Sequence, residues 1–260
     1  MRYLYILFFI LAVTASCEKN DNRSSASTTG KGGSLARFTI SGEYLYVVDG
    51  DELHTFNLQN PGAPVQVNSL KLGFNNSIET IYPWKDKLFI GSKDALYLVS
   101  IANPEQPEVK GIASHLRACD PVVANDKYAY VTVRTGSFCQ GTVNALYAYD
   151  VSRGIESPDR VFEGNMNNPQ GLSLYNNYLY VCDGAAGLVI LDVHDGAKPA
   201  KITTIEGYTF FDCIADGNVL ICMVEKGMVL YDINSPADPK KLSEIISVLI
   251  LVKHFQLIMI

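Results

Sequence analysis

Positive charge is scarce in this sequence. Lys and Arg number 21 of the 260 residues against 27 Asp and Glu, and the formal net charge is −6. Because nucleic-acid phosphates are bound by clustered Lys and Arg, this composition argues against a nucleic-acid partner. Charged residues make up only 18% of the chain and hydrophobic residues 48%. The sequence is therefore not that of a disordered chain and has enough apolar side chains to bury a core.

Signatures of known catalytic chemistry are also missing. Residues 171–175 (Gly-Leu-Ser-Leu-Tyr) lack the final Gly of a nucleophile elbow, and residues 30–33 (Gly-Lys-Gly-Gly) lack the spacing of a phosphate loop. The four His residues are scattered along the chain, and no Cys-x-x-Cys pair occurs. We therefore assign no catalytic residue and no confident metal centre from motifs.

Turn-forming and aromatic residues are plentiful. The chain has 20 Gly, 11 Pro, 15 Tyr and 11 Phe, but one Trp. Tyr and Phe are favoured in strands, and Gly and Pro mark turns. This composition favours a turn-rich all-β protein over a helical bundle.

The first residues have the pattern of an export signal. Arg2 supplies one positive charge, and residues 4–13 are ten consecutive apolar residues. Because this stretch is shorter than the roughly 20 residues of a membrane-spanning helix, we predict that residues 1–16 are a removed signal peptide.

Small residues directly before Cys17 resemble the bacterial lipobox, although Thr14 stands where Leu or Val is usual. The resemblance implies that Cys17 is acylated and holds the protein at a bilayer of the cell envelope. In our interpretation this bilayer is the outer membrane, and both its outer surface and its periplasmic side are possible. The alternative is an ordinary signal peptide cut near Ala15. Residues 17–34, rich in Ser, Thr and Gly, are expected to be a flexible tether.

From residue 35 onward the chain repeats one strand pattern. Apolar strand cores recur at residues 44–47, 87–90, 128–131, 178–181 and 219–222. Their third residues lie 43, 41, 50 and 41 positions apart. A further apolar run follows each core, at residues 53–57, 96–100, 146–150, 188–192 and 228–232. Each such run ends in a small polar residue that is expected to bond nearby turn amides, namely Asn57, Ser100, Asp150, Asp192 and Asp232.

Repeats of this length with about four short strands each are typical of a β-propeller or a similar array, in which each sheet covers its neighbour's apolar face. We predict an all-β, β-propeller-like array of about five four-stranded blades, closed, open or incomplete. The repeats are assigned to residues 35–77, 78–118, 119–168, 169–209 and 210–246. The apolar tail, residues 247–260, is open to three readings: a closing strand, a misread terminus or a truncation.

The run Leu-Val-Ile-Leu-Asp at residues 188–192, preceded by Gly187, resembles the LVIVD repeat family. The resemblance extends to all five repeats, although only the fourth is close to the name motif. It implies a propeller-like fold in a secreted or surface protein, and it implies no particular activity.

Six cysteines, with Cys17 assigned to lipid, leave an odd number for pairing. Cys182, Cys213 and Cys222 are expected to be buried small apolar residues. Cys119 opens the third repeat and Cys139 lies in an insertion of about eight residues within residues 134–144. A disulfide between Cys119 and Cys139 would stabilise the fold by roughly 3 kcal/mol in an oxidising compartment; two free thiols are the alternative.

A polar residue precedes the strand core in every repeat. Glu79, Asp120 and Gln170 stand ten positions before the third core residue, and Arg37 and Asp212 stand nine positions before it. We expect a turn one residue shorter in the first and fifth repeats, which would make the five positions equivalent and gather the side chains in the central channel. They would form either a hydrated channel mouth or a site for a small polar ligand or a cation, with calcium favoured over zinc because the ligands are oxygen atoms.

These observations favour an envelope-anchored, non-catalytic binding scaffold for a partner protein or a glycan. The alternative is an envelope hydrolase or lyase acting on carbohydrate, with Glu79, Asp120 and Asp212 as acid and base; such pairs work at separations of roughly 5 to 10 Å. A third possibility is an incomplete relative whose function has decayed or needs missing blades.

Overall fold

The computed structural model describes residues 33–72, 78–93, 95–114, 121–135, 143–152 and 158–246. Within these ranges the fold is all-β: 20 strands form five four-stranded antiparallel sheets, and no helix is present. Accordingly, no helix in the described part of the chain has the length and hydropathy needed to cross a membrane. The predicted fold class is confirmed.

The five sheets, here called blades 1 to 5, follow one another along the chain. Blade 1 contains β1 (Phe38–Ser41), β2 (Tyr44–Asp49), β3 (Glu52–Asn57) and β4 (Val65–Lys71). Blade 2 contains β5 (Ile78–Trp84), β6 (Lys87–Ser92), β7 (Ala95–Ser100) and β8 (Glu108–Ser114). Blade 3 contains β9 (Val122–Ala124), β10 (Tyr128–Val133), β11 (Ala145–Asp150) and β12 (Asp159–Asn165). Blade 4 contains β13 (Leu172–Tyr175), β14 (Tyr178–Cys182), β15 (Leu188–Asp192) and β16 (Ala200–Ile205). Blade 5 contains β17 (Phe210–Asp216), β18 (Val219–Val224), β19 (Gly227–Asp232) and β20 (Lys240–Ile246).

Each blade is a meander in which consecutive strands pair. The turns between the first and second strands include residues with positive φ: Gly42, Lys85, Asn176 and Gly217. This left-handed backbone lets the hairpin twist match the twist of its strands. Two of these residues carry a side chain: Asn176, a type that adopts positive φ more often than most, and Lys85, for which it is uncommon.

The middle strands are apolar on both faces because each blade is packed between two others. In blade 4, Leu179 and Val181 lie in a core shared with blade 3, whereas the alternate residues Tyr180 and Cys182 lie in a core shared with blade 5. Successive side chains of a strand point to opposite faces, so a continuous apolar run fills both interfaces. Four such cores join blades 1 to 2, 2 to 3, 3 to 4 and 4 to 5.

The fourth strand of every blade forms the outer edge. In all five blades its pairing with the third strand shifts register at the same place, between Thr55 and Phe56 in blade 1 and between Ile190 and Leu191 in blade 4, for example. Such bulges increase the local twist of an edge strand and discourage further pairing.

The polar residues that end the third strands bond turn amides, as predicted. The backbone N–H two residues further on donates to the side-chain oxygen of each, over 2.8 to 3.3 Å, in all five blades; the acceptors are Asn57, Ser100, Asp150, Asp192 and Asp232. These residues therefore have a structural role in starting the loop to the fourth strand.

Candidate binding site at the channel mouth

The first strands of all five blades converge on one cavity of about 590 Å³. Its wall includes Ser41 of β1, Trp84 of β5, Val123 of β9, Tyr175 of β13 and Ala215 of β17. Ser41, Trp84 and Tyr175 are the last residues of their strands, so the cavity opens at the end of the channel where the inner strands finish. Its volume lies within the range of sites for small molecules.

The residues that precede β1 lie beside this cavity. Gly33 and Ser34 line the cavity, and the carbonyl of Ala36 accepts a hydrogen bond from the amide of Ile81 in blade 2, at 2.8 Å. Ser34 Oγ accepts a hydrogen bond from the amide of Leu172 in blade 4, at 2.8 Å. Residues 33–36 thus connect opposite sides of the channel.

Trp84 and Lys85, at the rim of the cavity, both contact the carboxylate of Asp126. Trp84 Nε1 donates to Asp126 Oδ1 at 2.9 Å, and Lys85 Nζ lies 2.7 Å from the same carboxylate. The hydrogen bond from Lys85, followed by that from Trp84, lowers the pKa of Asp126. Deeper in the wall, burial raises the pKa of Tyr82 to about 12, so this hydroxyl stays protonated near neutral pH.

Asp212 is a partly buried carboxyl of the channel. Ser34 Oγ donates to its Oδ1 at 3.3 Å, and the amide of Cys213 donates to the same oxygen at 2.9 Å. Burial raises the pKa of Asp212 to about 6, although both hydrogen bonds oppose the shift. The carboxyl needs a glycine beside it, because a Cβ at Gly171 would lie 2.0 Å from Asp212 Oδ1.

The expected equivalence of the five polar positions was wrong. In every blade the third core residue of the second strand pairs with the residue seven positions earlier, in the pairs Tyr46↔Thr39, Phe89↔Tyr82, Tyr130↔Val123, Tyr180↔Ser173 and Ile221↔Ile214. The hairpin turns are therefore equally long, with no shorter turn in blades 1 and 5. Arg37 and Asp212 lie one register position later than Glu79 and Gln170.

This offset changes what the side chains meet, since neighbouring positions of a strand face opposite ways. In blade 2 the register is irregular between Ile78 and Thr80, at Glu79 itself, and in blade 5 it is irregular between Phe210 and Asp212. The two irregularities fall at equivalent positions, Glu79 and Phe211, so Asp212 corresponds in register to Thr80 and not to Glu79.

Glu79 lies among cations. Burial raises its pKa, while the charges of Lys93, Arg37 and Arg134 act in the opposite direction. Arg37 also donates from Nη2 to the carbonyl of Ile78 at 3.4 Å.

The structure therefore places Asp212 with Ser34, and Glu79 with positive charge. In the part of the chain that is described, no three His, Cys, Asp or Glu residues are arranged to hold a metal ion. Asp120 lies outside the described residues, and the calcium site stays a prediction.

The cysteines divide into two groups. Cys182, Cys213 and Cys222 are free and buried between blades 4 and 5, as predicted. Cys17, Cys119 and Cys139 lie outside the described residues, so the lipid anchor and the disulfide stay predictions.

One buried carboxylate escaped the sequence analysis. Asp183 is 1% exposed and accepts hydrogen bonds from the amides of Asn167 and Asn168 and from Asn167 Nδ2, over 2.7 to 3.1 Å. It fixes the loop that leads from blade 3 into β13. The sequence feature that could have indicated this residue is the Asp-Gly pair directly after β14, at Asp183 and Gly184.

Comparison with known proteins finds one repeat family at two places in the chain. The LVIVD repeat family matches residues 32–70 and 168–209, which cover the strands of blade 1 except Lys71 and all the strands of blade 4. No curated protein matches the sequence.

Among solved structures, AztD from Citrobacter koseri is similar with a TM-score of 0.56 and 12% identity over 80% of this chain and 63% of that chain. BamB from Moraxella catarrhalis has a TM-score of 0.55 and 13% identity over 74% and 54%. The computationally designed Ika8 protein has a TM-score of 0.59 and 9% identity over 80% and 60%.

This chain thus spans between 54% and 63% of the length of those three proteins. At such low identity the likeness shows the fold alone. The chain has a β-propeller-like fold and matches the LVIVD repeat at residues 32–70 and 168–209.

Proposed function

We propose that this protein is a non-catalytic binding scaffold of the cell envelope, anchored by lipid at Cys17, and that its channel-mouth cavity holds a partner protein or a glycan. The observation that carries the proposal is the cavity of about 590 Å³ on which all five first strands converge. Apolar walls with a few polar groups are typical of ligand sites. Trp84, Tyr175, Asn176 and Ser41 supply both kinds of surface here.

The position of Asp212 supports a binding role over hydrolysis. This carboxyl has the raised pKa of an acid catalyst, but it accepts a hydrogen bond from Ser34 and lies against Gly171, and the cavity wall is formed by the next residues, Cys213 and Ile214. A general acid must come within hydrogen-bond reach of the bond that it protonates. Asp212 itself is not one of the residues that line the cavity.

The site is tested by narrowing the cavity. Tagged, anchored protein is used to capture partners from its own envelope extract, with mass spectrometry for proteins and sugar analysis for glycans. Ser41→Trp places an indole at the mouth, and Ser114→Trp, at the last residue of β8, is the matched control. We expect a ligand that is retained by wild type and by Ser114→Trp and lost with Ser41→Trp. Equal retention by both variants would place the ligand elsewhere.

The anchor has its own test. We expect palmitate labelling of the wild-type chain that disappears in Cys17→Ala, together with release of the protein from the membrane fraction. Unchanged labelling in Cys17→Ala would exclude acylation at this residue and leave the ordinary signal peptide.

A further inference from the structure

The faces of each blade have distinct partners inside the chain. We define the leading face of a blade as the one that packs on the following blade, and the trailing face as the one that packs on the preceding blade. Each of the four interblade cores joins a leading face to a trailing face. The described residues place no such core between blade 5 and blade 1, so one face of each is left without a blade.

The trailing face of blade 1 is exposed at positions that are buried elsewhere. Its second-strand residues Leu45 and Val47 are partly exposed, and they line a groove of about 510 Å³ with His54 and Phe56. The corresponding residues of blades 2 to 5 are 0% exposed, namely Leu88, Ile90, Ala129, Val131, Leu179, Val181, Leu220 and Cys222. Among the described residues, blade 1 thus presents an interface surface on which no other blade packs.

The leading face of blade 5 is likewise more exposed than the leading faces of the other blades. Met223 is 55% exposed and Met228 39% exposed, and Ile221 and Leu230 are only partly covered. The residues that correspond to Ile221 in the other blades are at most 1% exposed, namely Tyr46, Phe89, Tyr130 and Tyr180. Two contiguous apolar faces on one chain are more than the scattered apolar residues of an ordinary surface.

We propose that the leading face of blade 5 binds the trailing face of blade 1 of a second copy of this chain. The two faces are complementary because four interfaces of the same kind already form within the chain, with the same strands in contact. Covering Met223, Met228, Leu45 and Val47 removes apolar area from water, which favours association. The contact is heterologous, since different faces meet, and it therefore produces a ring or a chain of copies.

The proposal does not depend on the cavity, because Met223 and Val47 do not line it. Its test uses full-length chains with two different affinity tags, co-expressed and purified in mild detergent. Val47→Glu blocks blade 1 and Met223→Glu blocks blade 5. Ile202→Glu, at a 42% exposed apolar residue on the outer strand β16, is the matched control. Circular dichroism checks that each variant is folded.

Capture of one tag should recover the other for wild type and for Ile202→Glu. Copies that all carry Val47→Glu, or all Met223→Glu, should give no co-capture. A mixture of Val47→Glu with Met223→Glu should restore co-capture, because the intact blade 5 face of the first variant can bind the intact blade 1 face of the second. No further copy can join such a complex, so the mixture should form pairs only.

Three results would overturn the proposal: no co-capture of wild-type copies, co-capture between copies that all carry Val47→Glu, or failure of the mixture. If wild-type copies are not co-captured, the same experiment is repeated with a chain that ends after Ile246. If it is co-captured and the full chain is not, residues 247–260 cover the blade 5 face and a second copy does not.

Discussion

The hydroxyl of Ser34 donates a hydrogen bond to Oδ1 of Asp212, although 178 positions separate the two residues in the sequence. Ser34 precedes the first strand of blade 1, and Asp212 lies in the first strand of blade 5. The same Ser34 oxygen accepts from the amide of Leu172 in blade 4. One buried hydroxyl thus joins the start of the repeat array to its last two blades.

Stability should depend on pH through Asp212. Its pKa rises to about 6 in the fold from about 3.9 in an unfolded chain. A raised folded pKa means that the fold favours the protonated carboxyl, so the benefit is full below the unfolded pKa and is lost as pH rises through the folded pKa. Relative to Asp212→Asn, wild type should lose about 2 kcal/mol of unfolding free energy between about pH 4 and pH 7.

Urea unfolding of both proteins at several pH values measures this difference. If the unfolding free energies of wild type and Asp212→Asn change with pH in the same way, the fold does not raise the pKa of this carboxyl.

Removing the Ser34 hydroxyl should destabilise the array. In Ser34→Ala the amide of Leu172 loses its acceptor and Asp212 loses a donor, and an unsatisfied buried group costs about 1 to 3 kcal/mol. Ser152→Ala, which removes an exposed hydroxyl bonded to Asp150, is the control and should change stability by less than about 0.5 kcal/mol. Equal effects in urea unfolding would contradict a connecting role for Ser34.

A side chain at position 171 should not be tolerated. The Cβ of Gly171→Ala would lie 2.0 Å from Asp212 Oδ1 and 2.8 Å from its Cα, so both the carboxyl and the backbone must move. We expect a loss of about 2 to 4 kcal/mol in unfolding free energy, in the range of overpacking and strain. Gly62→Ala is the control, since its Cβ would meet Asn60 Oδ1 at an ordinary 3.5 Å. A thermal melt in which both variants match wild type would refute the close approach.

The three buried thiols should be chemically inert in the folded protein. Burial raises the pKa of Cys182 and Cys213, while a hydrogen bond to Cys213, followed by burial, raises the pKa of Cys222. Because the thiolate is the reactive form, iodoacetamide at about pH 8 should leave these residues unlabelled. Denaturant should then make all three reactive, as read by peptide mass spectrometry. Labelling of Cys213 in the native state would show that the core between blades 4 and 5 opens readily.

The periodicity of the sequence was sufficient to predict the blades. A run such as residues 178–182 is apolar at every position because both of its faces are buried, and its recurrence identified five modules. The polar strand ends, such as Asp192, were also predictable, since a side chain that bonds an amide two residues away needs no distant partner. Counting along the chain failed at Glu79 and Asp212, because it cannot distinguish a shorter turn from a polar residue that stands one register position later on an equally long hairpin.

The sequence by itself determined the local elements: the strands, the turns, the repeat length and the buried thiols at Cys182 and Cys222. These follow from contacts between residues that are near in the chain or related by the repeat. Only the tertiary structure decided that Ser34 meets Asp212 and that the cavity opens beside Trp84 and Tyr175. It also showed that, within the described ranges, no blade packs on the trailing face of blade 1 or the leading face of blade 5. These features depend on how the blades curve around the axis, and that curvature is set by packing between modules.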